Sequence, residues 1–94
     1  MTLMERISDD MKTAMKAKDK FKTTVLRMIL SDFKYAMTAN ERSTSLDDES
    51  ALKVIKSYRK KLKKSIDAFP ESEVERRAEI AREIEVVDVY LPQE

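Results

Sequence analysis

The sequence contains no glycine, no cysteine, no histidine and no tryptophan, and only two prolines among its 94 residues. Each absence removes a class of structure or chemistry. Without glycine there is no P-loop and no dinucleotide-binding turn, because both need close backbone approach and conformations that other residues resist. The Asn-Gly and Asp-Gly turns that close tight strand hairpins are missing for the same reason. Without cysteine there is no disulfide, no thiolate metal site and no thiol nucleophile. Eight serines are present, but no histidine stands by to activate them. The Glu-x-x-His pairs of carboxylate-bridged metal sites in helical bundles cannot be built either. No segment reaches the roughly 18 apolar residues that span a bilayer. The opening MTLMERISDD places acids where a secretory leader would be basic and then apolar. The expectation is a cytoplasmic protein, away from the membrane, with no cofactor, no metal and no visible catalytic residue. Glu79, Glu83, Glu85 and Asp88 are the carboxylates that could hold a hard cation, though acids on solvated helix faces are far commoner.

What is present is the vocabulary of helices. Ala, Lys, Glu, Leu, Met and Arg dominate, and these are the stronger helix formers. The length corresponds to one domain, whose folding removes only about 60–65% of the unfolded surface from water. Charged residues make up 39% of the chain, yet the net charge is +1. Long-range steering is therefore weak, and any electrostatic recognition must come from local clustering.

Four apolar stripes with a three-or-four spacing follow one another. Leu3, Met4, Ile7, Met11, Ala14 and Met15 predict a first helix over 2–17, opened by a Thr2–Glu5 capping box. Asp19 is placed to cap a second helix over 20–38. Val25, Leu26, Ile29, Leu30, Phe33, Ala36 and Met37 form its main face, and Phe21, Met28 and Tyr35 form a second stripe. A helix apolar on two sides is expected to pack on two sides, so this one is placed centrally. Residues 39–45 lack periodicity and read as a loop. Ser45 and the acids Asp47, Asp48 and Glu49 open a third helix over 46–69, where the macrodipole favours negative charge. Its stripe is Ala51, Leu52, Ile55, Tyr58, Leu62, Ile66 and Phe69, ended by Pro70. Ser72 and Glu75 suggest another capping box for a fourth helix over 72–91, with Val74, Ala78, Ile80, Ala81, Ile84, Val87 and Leu91 on its stripe. The simplest fold that buries all four stripes is an all-α, compact antiparallel four-helix bundle.

The concentrated chemistry lies in the third helix. Lys53, Lys56, Arg59, Lys60, Lys61, Lys63 and Lys64 occur with no acid among them. At about 100° per residue, Lys53, Lys56, Lys60, Lys63 and Lys64 share a sector of roughly 100° facing away from the apolar stripe, about 16 Å long. Such a row can lie along several phosphates, each contact adding salt-sensitive affinity. The bland alternative is a solvated face, neutralised by the fourth helix, since Glu71 to Glu94 holds eight acids and three bases. With no aromatic on that face of the third helix, binding would be largely indifferent to base sequence. Met28 and Tyr35 on the second helix, with Val86 and Val89 on the acidic side of the fourth, form a candidate interface for a homodimer or another protein. Fraying of the last turn is the competing explanation for the two valines. Tyr58 reads as core, and the six methionines mostly as core fillers.

Three stretches carry a family resemblance. Asp10-Met-Lys-Thr-Ala-Met-Lys-Ala-Lys-Asp-Lys20 runs on to Val25-Leu-Arg-Met-Ile-Leu30, the basic helix Ile55 to Phe69 ends in KKSIDAF, and Ile84 to Pro92 ends in Tyr90-Leu91-Pro92. Together these resemble the N-terminal helical domain of YqeY-type proteins in the GatB/YqeY family. That resemblance implies a second, smaller helical domain, similar to the tail of the B subunit of the tRNA-dependent amidotransferase, beginning where this chain stops. It also implies a link to tRNA or to a tRNA-handling complex, and the family label is carbon–nitrogen ligation with glutamine as nitrogen donor. The amidotransferase's catalytic residues lie outside the YqeY-like region, so none is carried over to any position here. The resulting expectation is a non-catalytic accessory module, with a protein-interaction or self-associating module as the alternative.

Overall fold

The computed structural model describes residues 2–39 and 47–92. Among these residues there are four helices and no strand: α1 (Leu3–Lys16), α2 (Lys20–Ala39), α3 (Asp48–Ala68) and α4 (Val74–Asp88). They form an all-α bundle measuring 44 × 29 × 27 Å. One half of the Thr2–Glu5 box forms: the Glu5 amide donates to Thr2 Oγ1 at 3.1 Å, but Glu5 Oε1 accepts from that hydroxyl and not from a backbone amide. Asp47 caps α3, its carboxylate accepting from the Ser50 amide at 2.8 Å. That hydrogen bond holds the Asp47 carboxyl below the usual range. The sequence pattern points to Ser45 as the capping side chain and to Asp47 as one of three acids in the first turn; Ser45 and the loop around it lie outside the described residues.

The turn between α1 and α2 compensates for the missing glycine. Lys18 takes φ 60°, the left-handed region that glycine normally supplies. The Asp19 amide reaches back to the Ala14 carbonyl and the Lys18 amide to Met15, a Schellman closure. Asp19 Oδ1 then accepts from the Lys22 amide and so starts α2. One three-residue turn ends the first helix and caps the second.

Helix α4 departs from expectation at both ends. It begins at Val74, with Glu73 at the cap and no side-chain capping bond, so the Ser72–Glu75 box does not form. The Glu73 amide instead donates to the Pro70 carbonyl. That turn takes up Ser72, and helical bonding starts only with the Arg77 amide on the Glu73 carbonyl. At the other end the helix stops at Asp88, short of Leu91. Tighter bonds from Tyr90 to Val87 and from Leu91 to Asp88 turn the chain and sink Tyr90 into the core.

The core gathers Ile7, Val25, Leu26, Ile29, Phe33, Ala51, Ile55, Tyr58, Val87 and Tyr90. Helix α2 touches α1, α3 and α4, a central position it shares with α3, which also touches the other three helices. The main face of α2 is buried as the pattern requires, but its second stripe is not packed over. Met28 is half-exposed and Tyr35 is 79% exposed, while Phe21 is partly buried. Burial also fades towards the α3–α4 connection. Leu62, Ile66 and Phe69 are half-buried, and Val74, Ala78 and Ala81 are exposed. The end of α3 is held by Arg77, whose guanidinium donates to the Ile66 and Phe69 carbonyls at 2.9 and 2.8 Å. No helix of the described residues is long and apolar enough to cross a membrane.

Candidate nucleic-acid interface

Helix α3 turns Ala51, Ile55 and Tyr58 inward, so the opposite arc of its lysines faces out. Lys53, Lys56, Lys60, Lys63 and Lys64 are all exposed. Four of them, Lys56, Lys60, Lys63 and Lys64, border an open hollow of about 680 Å³. Arg59, Asp67, Asp88, Leu91 and Pro92 complete its lining. Lys53 points to a different hollow, shared with Lys61 and the α2 residues Asp32, Tyr35 and Ala36. The stripe is thus divided between two concavities along one continuous arc.

Helix α4 does not neutralise this arc as a block. Its one close ion pair with α3 is Arg59 Nε to Asp88 Oδ1 at 2.6 Å, with both side chains about a third exposed. Among the described residues, none of the five stripe lysines has a carboxylate within salt-bridge distance. The reason lies in the wheel: Arg59 is four residues from buried Ile55 and leans towards α4, whereas the lysines are rotated farther round. Arg59 could have been singled out in the sequence from that spacing alone. The hollow carries five cationic side chains against two carboxylates, and Asp88 is already engaged by Arg59. What it can do chemically is hold phosphates.

The two pairs of the candidate protein interface are not brought together by any shared hollow. Val86 and Val89 border one of about 360 Å³ with Asp10, Phe21, Lys22, Arg82, Glu85 and Tyr90. Val89 is exposed, but Val86 is half-buried against the core. Arg82 lies over the Phe21 ring at 4.3 Å, closing part of that surface. Met28 and Tyr35 remain apart, on α2. Tyr58 belongs to the core, as its place in the stripe predicts, and burial followed by the nearby Glu83 and Asp32 carboxylates pushes its phenol up to about 12. Glu83 is itself raised, first by burial and then by Glu79.

Residues at opposite ends of the chain also meet. The Tyr90 hydroxyl donates to Asp10 Oδ2 at 2.6 Å, and Arg6 lies over the Tyr90 ring at 5.0 Å. Asp10 opens the first stretch of the resemblance and Tyr90 belongs to the last, so those stretches are partners in one contact. A family model described as Yqey-like protein matches residues 4–94. The chain belongs to the YqeY family. No curated protein matches it. In this YqeY-family chain Leu91 and Pro92 wall the basic hollow while Tyr90 anchors them from behind, a role that periodicity alone did not reveal.

Proposed function

We propose that this YqeY-family chain is a non-catalytic helical module that docks on tRNA, or on a complex carrying tRNA, through phosphate contacts from α3. The observation that carries the reading is the set of exposed lysines, Lys56, Lys60, Lys63 and Lys64, lining one hollow with no carboxylate in salt-bridge range among the described residues. The resemblance to GatB/YqeY proteins supplies the link to tRNA and to tRNA-dependent amidotransferase function. Phosphate contacts release counterions, so affinity falls linearly with log salt at roughly 0.7–0.9 per contact. Four lysines then correspond to a slope of about −3 to −4. In a salt titration of tRNA binding, the double substitution K60E/K63E is expected to flatten that slope by about half, while K12E on exposed α1 leaves it unchanged. No binding at low salt, or a double variant indistinguishable from wild type, overturns the reading.

A second reading is supported by the exposed Met28 and Tyr35 on α2: a surface for a second copy of the chain. A strict monomer in sedimentation at high concentration removes it.

A further inference from the structure

We infer that Tyr35 is a stacking platform for an unpaired RNA base, so that the chain prefers single-stranded segments to duplex. This rests on the phosphate-binding reading of α3 and adds the class of RNA it takes. The lysine face of α3 has no aromatic of its own, but the fold brings one to its edge. Tyr35 lines a hollow of about 300 Å³ with Lys53, Val54, Ser57 and Lys61 of α3 and with Asp32 and Ala36 of α2. On the α3 wheel Ser57, Lys61 and Val54 continue the arc past Lys53 and Lys64 towards α2. Cationic side chains therefore run from the Lys56–Lys63 hollow to the Tyr35 ring.

Tyr35 differs from the other two tyrosines. Tyr58 and Tyr90 are buried in the core, whereas Tyr35 is 79% exposed. A ring left in water beside Lys53 and Lys61 offers what a single strand uses: a flat face for a base, and charges for the phosphates flanking it. Asp32, in the same hollow, disfavours a phosphate over the ring itself and leaves the base as the group to fit there. Duplex RNA keeps its bases stacked on one another, so it can use the lysines but not the ring. Stacking on an aromatic side chain contributes roughly 5- to 150-fold in affinity per base.

The test uses a labelled oligouridylate and a labelled RNA duplex, titrated at low salt with the whole chain. Tyr35→Ala is expected to weaken oligouridylate binding about tenfold, leaving duplex binding and the salt slope unchanged, and Tyr35→Phe to retain wild-type affinity. K60E/K63E is expected to weaken both ligands. If Tyr35→Ala binds oligouridylate like wild type while K60E/K63E still weakens both, the stacking inference fails and the phosphate reading stands. If K60E/K63E changes neither, the phosphate reading fails and takes the inference with it. If Tyr35→Ala weakens both ligands equally and dissociates a dimer in sedimentation, Tyr35 belongs to self-association and the inference is overturned.

Discussion

Lys18 is the residue at which this glycine-free chain comes closest to needing one. Its φ of 60° completes the Schellman closure on Ala14 and Met15, and a side chain with a Cβ is disfavoured there by about 1 kcal/mol. The strain is tolerated because Asp19 uses the same turn to cap α2 at Lys22. Lys18→Gly is expected to raise stability by about 0.5–1 kcal/mol, the relief of strain exceeding the added freedom of the unfolded chain. Lys18→Val is expected to lower it by a similar or larger amount, because branching at Cβ crowds the left-handed region. Urea melts of both variants check the pair, and matching shifts in one direction would contradict the conformational cause. Asp19 was legible in the sequence as a cap. The left-handed residue before it was not, because glycine normally signals such a position.

At the scale of elements, legibility followed how many helices each stripe meets. The α1 stripe apart from Met15, which is half-exposed, the main stripe of α2 and the first half of α3 read correctly because each packs into the shared core. Periodicity says which face of a helix is apolar, but not whether a partner covers it. The second stripe of α2 and the early stripe of α4 failed on that point, leaving Tyr35 and Val74 exposed. The basic arc of α3 was readable from spacing. Its neighbour Tyr35 was not, since that proximity is a tertiary fact. The fading burial along α3 has a measurable consequence. Ile55 is fully buried, whereas Leu62, two turns on, is only partly covered. Ile55→Ala is expected to cost about 3–4 kcal/mol and Leu62→Ala about 1–2 kcal/mol, the latter because water or neighbouring side chains relieve much of the cavity. Chemical denaturation of the two variants would show it, and equal losses would mean that the far end of α3 is as tightly packed as its start.

For the molecule as a whole, closure depends on a contact between residues 80 apart in sequence. Tyr90 donates to Asp10 at 2.6 Å and fixes the segment after α4 against α1, while Leu91 and Pro92 wall the basic hollow. Folding and candidate interface are thus linked through one phenol. Burial, the hydrogen bond to Asp10 and the Asp10 charge all raise the Tyr90 phenol above its usual value of 10.0, and Arg6 only partly opposes them. The group binds its proton more tightly folded than unfolded, so its stabilisation is fully present below pH 10 and is lost as pH rises beyond it. Tyr58, raised to about 12, adds to the same alkaline loss. Tyr90→Phe keeps the ring but removes the hydroxyl. At neutral pH it is expected to cost about 1–2 kcal/mol, the lower part of the range for a bond to a charged acceptor because Asp10 is partly exposed. Above pH 10 the gap between wild type and Tyr90→Phe is expected to narrow, since the Tyr58 contribution is common to both and only the wild type also loses stability through the Tyr90 phenol. Urea melts of the two proteins from pH 7 into that alkaline range measure the gap directly. A constant gap would mean that the Asp10 bond does not couple the phenol's proton to the fold.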